Sequence, residues 1–178
     1  LNTDIMNLVS EHIDLAIRAG ALADSGLYAR HLFDVRLKLF ATPEYLAAMP
    51  AIMEPAQLLD CNLLTLKTIH TLSFQRAGIA HKIPIKTQTG NVQANEMNTL
   101  IAFCIAGTGV ALLPDVSVRS YVAQGQLVEV LPDCIFDAVP IHALTPEKNP
   151  PARVRRLIEH LKEQQDAAYF INQNKSQR

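Results

Sequence analysis

The amino-acid sequence predicts an α/β fold made of two lobes, with the second lobe inserted into the first. The clearest sign is the stretch Asn95–Asp115, NEMNTLIAFCIAGTGVALLPD, which has a helical apolar stripe followed by a short apolar strand. A second sign is an imbalance, because the elements before Thr42 are too few for a domain and the last strand and helix lack obvious partners. We therefore predict a discontinuous lobe I from residues 1–42 and 138–178, and a lobe II from residues 43–137.

Within this stretch, the apolar residues recur at the i, i+3, i+4, i+7 spacing that places them on one face of a helix, namely Met97, Leu100, Ile101, Cys104 and Ile105. Asn95 is predicted to cap the start of this helix, and Gly107 to end it in a left-handed conformation. Val110–Leu113 then forms an apolar run of strand length, which Pro114 stops. Helix, glycine turn, buried strand and a further helix together form an α/β layer unit.

The chain before this unit is predicted as alternating strands and short helices. In order, these are a helix over residues 4–12, a strand at Ile13–Ile17, a loop at Gly20–Gly26, a long half-buried strand from Leu27 to Phe40, a helical turn opened by Thr42 and Pro43, a short helix at Ala56–Leu59, a strand at Leu63–Leu66, two strands around a turn at Ala77–Gly78, and an extended segment from Lys86 to Ala94.

The elements after the unit complete lobe II and return the chain to lobe I. They are a helix at Val116–Ala123, a strand at Leu127–Leu131, a loop at Pro132–Asp137, a strand at Val139–Leu144 and a final helix that begins at Pro150. Two segments that cross between the lobes, near Phe40–Pro43 and near Phe136–Pro140, are predicted to form a hinge.

Composition places the chain among soluble globular proteins. It has 178 residues, of which 49% are hydrophobic, and a net charge of −1 with a pI of about 6.6. This balance provides no general attraction to nucleic acid or to an anionic membrane. No transmembrane run or secretory signal is visible, and three widely spaced cysteines favour reduced thiols, so we expect a cytoplasmic protein.

No motif in the sequence indicates catalysis, a metal site or a cofactor. Gly107-Thr108-Gly109 runs from helix to strand, whereas a dinucleotide fingerprint runs from strand to helix. The six histidines never occur at an HxxxH or HExxH spacing. Arg18 closes an otherwise apolar strand and is either a surface charge or a polar residue that steadies the loop after it.

Several segments, in this order and spacing, resemble the effector-binding domain of LysR-type transcriptional regulators. They are IDLAIRAG with the loop ALADSGLYARHLF, then LFATPEYL, NEMNTLIAFCIAGTGVALLPD, GQLVEVLPD and PIHALTPEKNPPARVRRLIEHL. The resemblance implies two Rossmann-like lobes joined by two crossover segments, as in type 2 periplasmic binding proteins. It also implies that the first lobe is truncated at its N-terminus, without its first strand and helix.

By the same resemblance, a small effector would bind in a cleft between the lobes. The positions that match the family's cleft are Gly20, Asp24, Ser25, Ala41, Thr42, Asn95, Glu96, Met97 and Pro114. Helix N-termini there could hold a carboxylate through backbone N–H groups. Glu96 would repel such an anion, so an uncharged or cationic effector is an open alternative.

The resemblance implies a regulator with no catalytic activity and no cofactor. Its partners would be a small-molecule effector, further copies of itself in a homodimer or tetramer, and DNA, which would be bound by an N-terminal winged helix-turn-helix absent from this chain. No membrane partner is expected. The alternative is a solute-binding protein of a transporter, which has the same bilobal fold.

Overall fold

The computed structural model describes residues 13–20, 22, 26–85 and 91–173, so the predicted helix over residues 4–12 lies outside the described residues. The chain divides into two compact units. Unit 1 comprises Leu1–Val35 with Val139–Arg178, and unit 2 comprises Arg36–Ala138. The first boundary therefore differs from the predicted one at residue 42, because residues 37–41 form a strand that pairs within unit 2.

The elements of the described residues, in chain order, are β1 (Ala16–Ala19), β2 (Tyr28–Val35), β3 (Leu37–Ala41), α1 (Pro43–Ala47), a 3₁₀ helix (Pro55–Asp60), β4 (Leu63–Leu66), β5 (Thr71–Arg76), β6 (Ile79–Pro84), β7 (Val92–Ala94), α2 (Met97–Ile105), β8 (Val110–Pro114), α3 (Asp115–Ala123), β9 (Val128–Val130), β10 (Ile135–Phe136), β11 (Val139–Thr145) and α4 (Ala152–Gln173). Among these residues, no helix combines the length and apolar character needed to cross a lipid bilayer.

Unit 1 is a three-stranded antiparallel sheet with α4 packed on one face. The strand order is β1-β11-β2, so a strand from the C-terminal part of the chain lies between two strands from its beginning. The core contains Leu32 and Ala143 from the sheet and Val154 and Ile158 from α4. The i, i+4 spacing of the two α4 residues places them on one side of the helix, as the apolar stripe predicts.

A β-bulge interrupts the pairing of β2 with β11. Ile141 pairs with Phe33 and His142 with His31, so Leu32 is the extra residue on β2. An extra residue reverses the alternation of side chains on the bulged strand. As a result, Leu32 enters the core beside Phe33, while His31 lies on the opposite face of the sheet.

Unit 2 is built on a five-stranded mixed sheet that is buried on both faces. The strand order is β7-β4-β8-β3-β9, and β3 is antiparallel to both of its neighbours. Alternate residues enter two different cores, because successive side chains of a strand point to opposite faces. Leu39, Leu63 and Leu112 enter the core on one face, and Phe40, Leu64 and Leu113 enter the core beneath α2 and α3 on the other.

The turn between α2 and β8 confirms the predicted role of Gly107. Its φ of +71° is left-handed, its N–H donates to the Cys104 carbonyl at 2.9 Å, and the Thr108 N–H donates to the Phe103 carbonyl at 3.2 Å. This pair of bonds is a Schellman ending of the helix. Gly109 is required for a different reason, since a Cβ there would lie 2.2 Å from the Asn62 carbonyl oxygen.

The start of α2 differs by one residue from the prediction. Glu96, and not Asn95, is at the N-cap position, and its side chain makes no capping hydrogen bond. The predicted cap at Thr42 is confirmed, because its Oγ1 accepts a hydrogen bond from the Tyr45 N–H at 3.2 Å at the start of α1. Pro43 follows as the first helical residue, where its missing N–H carries no penalty.

Two predicted segments have a different structure. The single strand from Leu27 to Phe40 is two strands that break at Arg36, because β2 pairs with β11 in unit 1 whereas β3 pairs with β8 and β9 in unit 2. The predicted loop at Pro132–Asp137 contains the short strand β10. Strand β10 pairs with β5 and extends the hairpin of β5 and β6 into a three-stranded sheet.

Arg76, at the end of β5, links three segments of unit 2. Its Nε donates to Asp133 Oδ2 at 2.5 Å, its Nη1 donates to the Glu54 carboxylate, and its Nη2 donates to the Met53 carbonyl at 3.2 Å. The hydrogen bond from Arg76 holds the pKa of Asp133 below its ordinary value of 3.8. The turn after β9 is thereby tied to the β5–β6 hairpin and to the 3₁₀ helix.

Replacement of the fully buried Leu64 by Ala is expected to destabilise unit 2 by about 2–5 kcal/mol, because the substitution removes apolar contacts and leaves a cavity beneath α2. Urea unfolding followed by circular dichroism measures the change. Val122→Ala is the control, since Val122 is 40% exposed on α3. Equal midpoints for the two variants would contradict the placement of Leu64 in this core.

Asp133→Asn is expected to lower the thermal midpoint at pH 7, because it removes the carboxylate that bonds Arg76. A lowered folded-state pKa stabilises the fold above pH 3.8, and this contribution is lost as the pH falls through the folded-state value. The difference from wild type should therefore shrink below pH 3.8. Asp137→Asn makes the same charge change at an exposed residue, and an identical pH profile in that variant would rule out a specific role for Asp133.

Candidate functional site

The directions of the strands in unit 2 define two edges of its main sheet. Strands β7, β4 and β8 run parallel, and β9 runs with them because β3 is antiparallel to both β8 and β9. The C-terminal ends of these four strands therefore share one edge with the first residue of β3, Leu37. We call this the carboxyl edge. Ligands of α/β sheets usually bind at such an edge, where the next helices begin.

Asn95–Met97 and Pro114 lie at the carboxyl edge. Asn95 directly follows β7, whose last residue, Ala94, pairs with Leu66 at the end of β4. Pro114 ends β8 and pairs with Leu37. The structure thus places four of the predicted effector-binding positions along the same edge of one sheet, and Asn95 and Glu96 are exposed there.

Ala41 and Thr42 lie at the opposite edge. Ala41 ends β3 and pairs with Val128, the first residue of β9. Four residues of antiparallel strand separate Ala41 from Leu37, a distance of about 14 Å at 3.4 Å per residue. Thr42 is buried and caps α1, so the structure places Ala41 and Thr42 at a different edge of this sheet from Asn95 and Pro114, and their part in effector binding stays a prediction.

Of the predicted positions in unit 1, the structure describes Gly20. It follows β1 with a φ of +89°, and its N–H donates to the Pro140 carbonyl at 2.9 Å. A glycine is suited to this position because side chains rarely adopt a positive φ. The predicted site residues Asp24 and Ser25 lie outside the described residues.

Carboxylates occupy both helix starts at the carboxyl edge. Glu96 is at the N-cap of α2, and Asp115 is the first residue of α3. Acidic side chains near a helix N-terminus satisfy its positive dipole. An anionic ligand at either start would therefore meet a resident negative charge, which favours a neutral or cationic group at this edge.

A pocket of about 170 Å³ opens in unit 2 beside the beginning of β3. Its apolar wall includes Leu37 and Leu112 from the main sheet and Phe136 from β10. Its polar groups are Thr71, Ser73 and Asp137. The full lining is Leu37, Ile69, Thr71, Leu72, Ser73, Leu112, Phe136 and Asp137. An apolar wall with a few polar groups is typical of small-molecule sites.

The buried hydroxyl of Thr65 belongs to the same face of the sheet. Thr65 is 1% exposed, and its Oγ1 has no hydrogen-bond partner in the described part of the chain. Thr65 is two residues after Leu63, so it points to the face where Leu63 packs in one core with Leu112, which lines the pocket. A buried hydroxyl without a partner is costly and is suited to a ligand or a water molecule. Its only signal in the sequence is a threonine within the apolar run LLTL.

The described residues contain no cluster of metal-binding side chains, and two of their thiols have a strongly raised pKa. They contain no group of three His, Cys, Asp or Glu side chains that could hold a metal ion. Burial raises the pKa of the Cys61 thiol to about 11, with a smaller contribution from the charge of Asp60, and burial raises the pKa of the Cys104 thiol to about 11. Thiols with such values are protonated at neutral pH and are poor nucleophiles.

Comparison with known proteins identifies the family. The model of the LysR substrate binding domain matches residues 1–166, nearly the whole chain. The chain belongs to the LysR substrate-binding domain family. The predicted resemblance is therefore confirmed.

The relatives of this LysR-family chain are transcriptional regulators. The HTH-type transcriptional regulator PtxR of Pseudomonas aeruginosa is 36% identical over 161 residues, which cover 88% of this chain and 51% of PtxR. The regulator CrgA of Neisseria meningitidis serogroup C is 34% identical over 132 residues, which cover 74% of this chain and 44% of CrgA. The chain thus spans about half the length of these relatives, and their names favour a regulator over a transporter component.

Solved structures agree with this assignment. The regulatory domain of CrgA, a LysR-type transcriptional regulator, superimposes with a TM-score of 0.73 at 30% identity, covering 89% of this chain and 78% of that domain. Full-length AphB, the Vibrio cholerae virulence activator, gives a TM-score of 0.74 at 26% identity, covering 91% of this chain and 55% of AphB. The predicted fold class, α/β and periplasmic-binding-protein-like, is confirmed.

Cys61 and Cys104 of the native LysR-family chain are expected to resist iodoacetamide at pH 8, because a thiol with a pKa near 11 is ionised to only about one part in a thousand at that pH. Mass spectrometry of tryptic peptides measures the alkylation. Unfolding in urea should expose both thiols, and Ser117→Cys on exposed α3 provides a reactive control. Alkylation of Cys61 or Cys104 at the rate of the introduced thiol would contradict their burial.

Proposed function

We propose that this chain is the effector-sensing domain of a LysR-type regulator, which binds a small metabolite and thereby controls transcription. The observation that carries the proposal is the family match across residues 1–166, with relatives that are named regulators. In this proposal, DNA is bound by a winged helix-turn-helix at the N-terminal side of the domain in the whole protein. The domain itself performs no catalysis.

The carboxyl edge of unit 2 is the surface that we assign to the effector. It combines the exposed turn at Asn95–Met97, the end of β8 at Pro114 and the pocket beside Leu37. The pocket would take an apolar part of the effector, and Thr71 and Ser73 would bond a polar group on it. Helix α2 begins at this edge, so a ligand there contacts an element that packs directly on the main sheet.

The charges at this edge support a neutral or cationic group in the part of the effector that it binds. Glu96 and Asp115 occupy the helix starts, and Asp137 lines the pocket. An ammonium or hydroxyl group could donate hydrogen bonds to these carboxylates, whereas a carboxylate would be repelled. We therefore propose an uncharged or cationic effector in place of a carboxylate.

The remaining partners follow from the family. Full-length structures exist for two relatives, CrgA and AphB, that are described as LysR-type or LTTR proteins. We propose that the whole protein acts in the cytoplasm as a homodimer or tetramer. The buried thiols Cys61, Cys104 and Cys134 are compatible with a reducing compartment.

The coding region upstream of Leu1 provides a direct test of this function. A winged helix-turn-helix there would support a transcription regulator. A secretory signal peptide would instead support the transporter alternative and contradict the proposal.

Ser73→Phe is expected to abolish effector binding at the carboxyl edge, because the phenyl ring is much larger than the serine side chain and fills the pocket. A thermal-shift screen of neutral and amino-bearing metabolites against the wild-type chain should identify a stabilising compound, and a ligand at 100 times its Kd adds about 2.7 kcal/mol of stability. The Ser73→Phe variant should lose that shift. Thr99→Phe, at an exposed position on α2, should retain it.

Retention of the full shift by Ser73→Phe would exclude this pocket as the effector site. Thr42 is unsuitable for such a test, although the resemblance implies that it is an effector-binding position. Thr42 is buried and its Oγ1 accepts the capping hydrogen bond from the Tyr45 N–H, so a larger residue at position 42 would disturb the fold itself.

A further inference from the structure

Unit 1 contains a row of basic side chains that crosses all three strands of its sheet. Arg18 of β1 pairs with His142 of β11, and His142 pairs with His31 of β2. Directly paired residues of antiparallel strands point to the same face, with their Cβ atoms about 4.5–5.5 Å apart. We call Arg18, His142 and His31 the basic row.

The basic row lies on the face of the sheet opposite α4. Ala143, the neighbour of His142 in β11, is packed in the core beneath that helix, so His142 points the other way. The bulge at Leu32 brings His31 to the same face, and the two imidazole rings meet edge to face with centroids 5.7 Å apart. The three residues of the row are brought together by strand pairing, and no motif in the sequence indicates their proximity.

Two side chains of the row have polar nitrogens without a partner among the described residues. The Nδ1 atom of His142 is buried and has no partner, and no hydrogen bond or ion pair engages the half-buried Arg18 guanidinium among the described residues. His31 Nε2 is the exception, since it lies 2.9 Å from Asp34 Oδ1. A buried polar nitrogen without a partner costs free energy. In the tautomer that carries the hydrogen on Nδ1, His142 is a donor there, and an oxygen acceptor would recover that cost.

We propose that the basic row is a binding site for a small carboxylate. The Arg18 guanidinium can hold the two oxygens of a carboxylate in a bidentate pair, and the ring N–H of His142 can bond one of the same oxygens. His31 closes the row on the outer side and is itself oriented by Asp34. The side chains of His31 and Asp34 are 52% and 57% exposed, which leaves the row open to solvent at that end.

This site is made of residues of unit 1 alone, and the ligand charge that it favours is opposite to the charge favoured by the carboxyl edge of unit 2. Its donors suit an anion, whereas Glu96 and Asp115 at the carboxyl edge disfavour one. The proposal does not rest on the assignment of an effector to unit 2, because it depends on residues of unit 1 alone. It gives the partly buried Arg18 a role as an anion receptor.

Titration of the 178-residue chain with sodium benzoate tests the proposal, with histidine ring signals followed by NMR. Saturable shifts are expected at His31 and His142, with a Kd on the order of 1 mM for a few charge-assisted hydrogen bonds. His160, on the exposed side of α4, should not respond. Benzamide, which has the same ring without the charge, should shift none of these signals.

Arg18→Gln is expected to weaken benzoate binding at least about tenfold, because it removes the bidentate cation. Arg156→Gln makes the same charge change at an exposed position on α4 and should bind as wild type does. His142→Phe retains a ring but no nitrogen, and it should also weaken binding. This second variant keeps the proposal testable if Arg18→Gln does not fold.

Three results would overturn the proposal. These are an unchanged Kd in both Arg18→Gln and His142→Phe, an equal loss of affinity in Arg156→Gln, and saturable binding of inorganic phosphate without any binding of benzoate. The second result would indicate a general charge effect, and the third a site for a different anion.

Discussion

The antiparallel position of β3 between β8 and β9 is the constraint on which the interpretation of unit 2 depends. Four strands of the sheet run in one direction and β3 in the other, so Leu37 lies at the carboxyl edge and Ala41 at the opposite edge. The family resemblance predicts that Ala41 and Thr42 share a cleft with the turn after β7. Because β3 runs against its neighbours, its length of about 14 Å separates Ala41 from the carboxyl edge, and Thr42 caps α1 beyond it.

The sequence predicted those elements that depend on the spacing of residues within one helix, turn or strand. The apolar stripe of α2, the left-handed Gly107 and the run before Pro114 all depend on residues within one turn or strand, and each was found as expected. The break at Arg36 has no glycine or proline to mark it. It exists because the hydrogen-bond partners change from one sheet to another, and that change is set by residues more than 70 positions away.

The candidate sites show the same division. The position of Asn95–Met97 and Pro114 at the start of helices could be predicted, because the order of strands and helices in an α/β unit follows from the apolar pattern of the sequence. The pocket and the basic row could not be predicted, since each combines strands that are distant in the chain. His31 and His142 are separated by 111 positions, and only the register of β2 with β11 brings their rings to 5.7 Å.

Because of the bulge at Leu32, the deletion of one residue from β2 affects unit 1 differently from the substitution of one residue. A single-codon deletion at that position would restore regular pairing of β2 with β11, yet it would also remove an apolar side chain from the core. Point substitutions leave the pairing register of the strand unchanged and alter the contacts of one side chain. Natural variation in β2 should therefore be rich in exchanges of residues and poor in insertions or deletions.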